Sequence, residues 1–192
     1  MFINGGLSAG ASTIANDGTL TITNCNVFGN GQSGGAITNH SNLTIANSDI
    51  TGGDQNTRVG GGIFNLGALT LTDSFVGGQA EIVGAIINGG GIKALRSTIW
   101  GSAAFSGGAG AILNSGQVSL VNSSVSGTAP GGGTGAIDNG GSVTVSGSTI
   151  SGTGGGAPRT AGGIFNETVG TVTITNSTFA NAAGGPSATA AT

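Results

Sequence analysis

The feature that most constrains this chain is the tripeptide Ile-x-Asn, which returns seven times: Ile14-Ala15-Asn16, Ile37-Thr38-Asn39, Ile63-Phe64-Asn65, Ile86-Ile87-Asn88, Ile112-Leu113-Asn114, Ile137-Asp138-Asn139 and Ile164-Phe165-Asn166. Successive Asn residues are 23, 26, 23, 26, 25 and 27 positions apart. Fixed periods of this size mark stacked-repeat architectures, in which each unit buries its apolar face only against its neighbours. A period so short has room for three strands per turn and for no helix.

The rest of each repeat supplies the other two strands. Apolar residues alternate as Leu20/Ile22, Leu43/Ile45, Leu69/Leu71, Ile92/Ala94, Val118/Leu120, Val143/Val145 and Val172/Ile174, the period of a strand with one buried face. One further core position per copy follows: Val27, Ile50, Val76, Ile99, Val125, Ile150 and Phe179. The expected fold is all-β, a right-handed parallel β-helix (β-solenoid) of about seven three-strand coils of 23–27 residues, the right hand being the default for parallel connections. Residues 1–181 are expected to form one domain, followed by a Gly/Ala/Thr-rich tail at 182–192. At about 4.8 Å per coil the rod is roughly 35 Å long.

The polar columns describe the corners. Asn16, Asn39, Asn65, Asn88, Asn114, Asn139 and Asn166 read as a structural ladder whose amides hydrogen-bond along the axis, each Asn entering a left-handed turn. Two residues before each Ile stands Gly35, Gly61, Gly84, Gly110, Gly135 or Gly162, with Ser12 in the first copy, where a bend or narrow interior favours a missing side chain. A second corner carries Asn24, Asn47, Asp73, Arg96, Asn122, Gly147 and Asn176, each followed by Ser except in the first copy, where Cys25 takes the Ser slot as a small buried residue. Length differences fall before the next Gly-x-Ile, as at 51–58 and 128–133, so one corner accepts insertions.

Composition agrees with periodic burial and excludes several functions. With 42 Gly, seven Phe, one Trp and no Tyr, the chain cannot fill an ordinary globular core. Four basic residues and a net charge of −3 offer no electrostatic footprint for nucleic acid. No apolar run approaches the roughly 18 residues of a membrane span, so no membrane insertion is expected. The start, Met1-Phe2-Ile3-Asn4-Gly5-Gly6, is not a secretion signal, so an export signal is expected to lie outside this sequence. Cys25 is alone, and nothing follows the regular Asp spacing of calcium-binding repeats; neither cofactor nor metal is expected.

Gly34-Gly35-Ala36-Ile37, Gly61-Gly62-Ile63-Phe64-Asn65 and Gly162-Gly163-Ile164-Phe165-Asn166, with Leu43-Thr44-Ile45-Ala46-Asn47-Ser48 and Val172-Thr173-Ile174-Thr175-Asn176-Ser177, resemble the repeats of polymorphic outer-membrane proteins and related bacterial β-helix surface proteins. The resemblance covers nearly the whole chain. It implies a secreted or surface domain, often adhesive, with no catalytic residues to carry over. The location expected is therefore extracellular or at the cell surface, and the expected partner a second copy or another surface protein, with a glycan as a further candidate.

Polysaccharide-modifying β-helices need clustered Asp with Lys or Arg to move a proton. Here only Asp73, Arg96 and Lys93 come near one another in the repeat register, and an Asp73–Arg96 ion pair replacing two rungs of a polar column accounts for them. His40 sits in a turn with no acidic residue expected at the matching positions above or below. The chain therefore reads as a non-catalytic structural or adhesive module, self-associating or part of a longer rod or filament.

Three outward features remain. Thr21, Thr23, Thr44, Thr70, Thr72, Thr144, Thr173 and Thr175 make a threonine grid on the second strand, interrupted by Lys93 and Leu95; an ice-binding surface is the alternative function it suggests. Phe64, Ile87 and Leu113 make an exposed apolar stripe on the first strand, of the kind that marks an interface. Phe75, Trp100 and Phe105 occupy outward or loop positions suited to packing or to stacking on a sugar, the second alternative being a polysaccharide-binding or polysaccharide-modifying β-helix.

Overall fold

The computed structural model describes residues 1–5, 12–29, 35–53, 60–105, 107–155 and 161–181. The tail at 182–192 lies outside the described residues. Within them the chain forms 22 strands and no helix. The strands build three parallel sheets. Sheet 1 stacks the seven Ile-x-Asn strands from Ile14–Asn16 to Ile164–Asn166, and sheet 2 the seven strands from Thr19–Thr23 to Thr171–Thr175. Sheet 3 stacks eight, from Phe2–Gly5 to Thr178–Asn181.

Every strand pairs with its counterpart one repeat away, so equivalent residues sit directly over one another. Ile86 stands between Ile63 and Ile112 in sheet 1, Ile92 between Leu69 and Val118 in sheet 2, and Ile99 between Val76 and Val125 in sheet 3. The inward columns of the three sheets form one continuous core whose inner members are essentially inaccessible to solvent. β-Branched and Leu side chains suit such columns because they pack against their own copies on a pleated surface. Truncating one to Ala should cost roughly 2–5 kcal/mol.

The corner after sheet 1 rests on a chain of buried amides. Nδ2 of Asn16 donates to Oδ1 of Asn39 at 2.7 Å, and the same bond repeats from Asn39 through Asn65, Asn88, Asn114 and Asn139 to Asn166 at 2.7–2.8 Å. The amides of Asn39, Asn65, Asn88, Asn114 and Asn139 also donate to the carbonyl two residues on where the chain turns, at 3.0–3.2 Å. The side chain thus performs a turn's work without a left-handed backbone: among the described residues, none of these Asn has a positive φ.

The left-handed residues lie instead at the corner after sheet 2, which corrects the expectation. Asn24, Asn47, Asp73, Arg96, Asn122, Gly147 and Asn176 all have φ between 47° and 57°. Asn, Asp and Gly accept this region at low cost, whereas Arg does so rarely. The Ser column follows immediately. Each Ser hydroxyl donates to the carbonyl two residues back at 2.7–3.0 Å and accepts the N–H of the Ser or Cys one coil earlier at 3.0–3.2 Å. Cys25 sits at the beginning of that column, where no Ser of an earlier coil stands among the described residues. Its sulfur points to the Thr23 carbonyl at 3.1 Å, and a weak hydrogen-bonding group suffices there.

Glycine closes the remaining gap between sheets 3 and 1. A Cβ on Gly84 would collide with the carbonyl of Gly110 and the amide of Ser102. A second Gly column, Gly52, Gly78, Gly101, Gly127 and Gly152 in sheet 3, faces the first across the same narrow space; Gly101 would likewise strike Gly110. Gly91, by contrast, has open space where its Cβ would stand.

Two sets of substitutions test this account. Asn88→Ala removes the amide between Asn65 and Asn114 and strands buried polar groups, so it should lower stability by about 2 kcal/mol or more. Asn166→Ala, at the exposed end of the ladder, should cost clearly less. In parallel, Gly84→Ala should lower the urea midpoint strongly while Gly91→Ala leaves it unchanged or raises it slightly. Equal losses at the two Asn positions would exclude a cooperative ladder.

Candidate functional site

Two contacts between side chains of opposite sign stand apart from each other, Arg96 with Asp73 and His40 with Asp17. Arg96 grips Asp73 with both arms, Nε to Oδ1 and Nη2 to Oδ2, each at 2.7 Å. Both carboxylate oxygens are therefore engaged. Hydrogen bonding from Arg96 holds the Asp73 carboxyl below its ordinary value of 3.8, and Asp73 raises Arg96 in return. Lys93 stands on sheet 2 in register with Thr70 and Ser119, exposed to solvent. His40 does have an acidic neighbour, contrary to the sequence reading: its Nδ1 lies 2.7 Å from Oδ1 of Asp17. The one-coil register places Asn16 beside Asn39, and so the residues that follow them side by side. No three His, Cys, Asp or Glu side chains gather in one place among the described residues.

The outward threonines of sheet 2 fall into columns, but broken ones. Thr21, Thr44 and Thr70 stack in consecutive strands; Lys93 and Ser119 follow before Thr144 and Thr173 resume the column. In the neighbouring column Thr23 and Thr72 flank Ala46, then Leu95, Val121 and Ser146 precede Thr175. A continuous hydroxyl lattice is thus limited to short patches.

Phe64, Ile87 and Leu113 also stack in register on sheet 1. Each is half-buried, which corrects the expectation of an exposed stripe. The insertion corner runs alongside: Gly60, Val83, Ala109 and Thr134 bridge coil to coil in parallel, and a Cβ on Gly60 would stand 3.4 Å from the Ile87 side chain.

The larger accessible apolar surfaces lie elsewhere. In the last coil Ile164, Val172 and Ile174 are half-exposed, and Phe179 is 44% exposed although Ile150, its partner one coil back, is fully buried. On the outer side of sheet 3, one column reads Phe28, Thr51, Gly77, Trp100, Ser126, Ser151 and Ala180. Phe105 is exposed beyond the end of its strand. That Gly77 sits in register with Trp100, two residues along the strand from Phe75, was not read from the sequence, because a Gly in a strand leaves no trace in an apolar pattern.

Comparisons of the chain with protein-family models, with curated proteins and with solved structures find no match. The functional reading therefore rests on the surfaces themselves.

The ion pair offers a direct test of the second corner. A carboxyl with a lowered folded value contributes stability above its ordinary value and loses it as pH falls through the lowered one. Arg96→Asn keeps a residue suited to positive φ and removes the cation. The Asp73 midpoint, followed by carboxyl NMR titration, should then move up toward its ordinary value; an unchanged midpoint would mean that the pair does not form in solution.

Proposed function

We propose that this chain is a non-catalytic structural module that associates end to end, coil on coil, as part of a rod or filament. The observation that carries the reading is the last coil. Its three strands, Ile164–Asn166, Thr171–Thr175 and Thr178–Asn181, close the three sheets at one end, each pairing with a neighbour on one side only among the described strands. Its core columns, buried in every inner coil, are there partly open.

Unpaired strand edges over open apolar columns invite another strand layer. The best-matched layer for a repeat is another coil of the same repeat, because the Asn, Ser and Ile columns would continue in register. The half-buried state of Phe64, Ile87 and Leu113 makes lateral pairing the weaker mode. Engagement of both Asp73 oxygens by Arg96 leaves that carboxylate poorly suited to proton transfer, in keeping with a non-catalytic role. A cell-surface setting goes with this reading on the strength of the repeats' resemblance to polymorphic outer-membrane proteins, an adhesive rod being the form it would take.

Light scattering across a concentration series tests the proposal. The native chain should associate as concentration rises, and Phe179→Lys should weaken association at least about tenfold by burying a charge where an apolar side chain should go. Ile87→Lys should leave it unchanged. Monomers at every concentration would overturn the proposal, and loss of association in Ile87→Lys alone would reassign it to the lateral face.

A further inference from the structure

Sheet 3 carries a shallow hollow of about 260 Å³ on its outer side, with Thr51, Phe75, Gly77, Gln79 and Trp100 around it. Its origin is a single missing side chain. In the outward column Thr51 and Trp100 occupy the coils on either side of Gly77. The Phe75 ring lies over the gap: a Cβ on Gly77 would stand 2.5 Å from its Cε1. The result is a notch one coil wide, with the Phe75 ring across it, Trp100 beside it on one side and Thr51 on the other.

We infer that this notch binds a neutral pyranose ring of a glycan. Size is the first argument. Pockets for drug-sized ligands run to roughly 300–1,000 Å³, so this one suits an occupant of about one ring. Chemistry is the second. Aromatic faces carry negative potential, which the C–H faces of a pyranose complement, and Trp100 remains 38% exposed. The polar groups at the margin, the Thr51 hydroxyl and the Gln79 amide, are neutral donors and acceptors suited to sugar hydroxyls. Charge is the third. Among the described residues no charged side chain lines the hollow, and the nearest of them in register is acidic: Asp49 pairs with Phe75 from the coil before. A uronate would meet a carboxylate there and no cation among the lining residues. The inference goes beyond end-to-end association and does not depend on it.

Trp100 is the chain's one Trp and there is no Tyr, so its emission reports on this site alone. The full chain is titrated with neutral hexasaccharides of glucose, mannose and N-acetylglucosamine, with hexagalacturonate as the anionic control. At least one neutral oligosaccharide should change the emission saturably. Gly77→Val, whose side chain would push the Phe75 ring out of its place beside Trp100, and Gln79→Ala, which spares the strand backbone, should each weaken binding about tenfold or more. Phe28→Ala, in the same column two coils away, should not. Phe179→Lys should bind like the native chain, so failure of glycan binding and failure of association are read separately. No saturable change with any neutral sugar, equal binding of hexagalacturonate, or indifference to both notch variants would overturn the inference.

Discussion

Parallel stacking at about 4.8 Å per coil places each residue directly on its own equivalent, and this self-contact governs the molecule. Only side chains that tolerate a copy of themselves can form a column. Ile, Val and Leu do so through dispersion. Asn does so because one amide holds both a donor and an acceptor, and the run from Asn16 to Asn166, buried up to Asn139, uses both. Ser does so by passing its neighbour's N–H to its hydroxyl oxygen and its own proton to a carbonyl. A column of one charge would repel itself. The Asp73–Arg96 pair is consistent with that restriction, since it places opposite signs in consecutive rungs. The scarcity of charge in the chain is thus a property of its fold as much as of its setting.

The corners divide the labour in two ways. After sheet 1 the turn is held by a side chain, and the backbone needs no left-handed residue. After sheet 2 the backbone itself turns left-handed, and the Ser that follows ties the next rung. Between sheets 3 and 1 two Gly columns let backbones approach more closely than any Cβ would allow. The corner that accepts insertions is the one where strand pairing gives way to single bridges at Gly60, Val83, Ala109 and Thr134.

Function on such a scaffold belongs where a column breaks, since an unbroken column repeats without distinguishing any one place along the rod. Gly77 between Thr51 and Trp100 is one break, and the outer side of the last described coil is another. Both proposals arise at these breaks, whereas Asp73 and Arg96 also interrupt a column yet neutralise each other.

The period, the three strands per coil, the inward columns and the pairing of Asp73 with Arg96 were legible from spacing alone, because a solenoid turns sequence separation into spatial neighbourhood. The side-by-side placement of Asp17 and His40 was equally implied by the register of Asn16 and Asn39, since each follows its Asn by one residue. The sequence by itself determined which residues share a column. Tertiary structure alone decided which corner turns left-handed, how deeply Phe64, Ile87 and Leu113 sink, and that Phe75 folds over Gly77 beside Trp100. Those outcomes depend on backbone torsions and on the path of the corner segments between strands, and residue spacing along the chain carries no record of either.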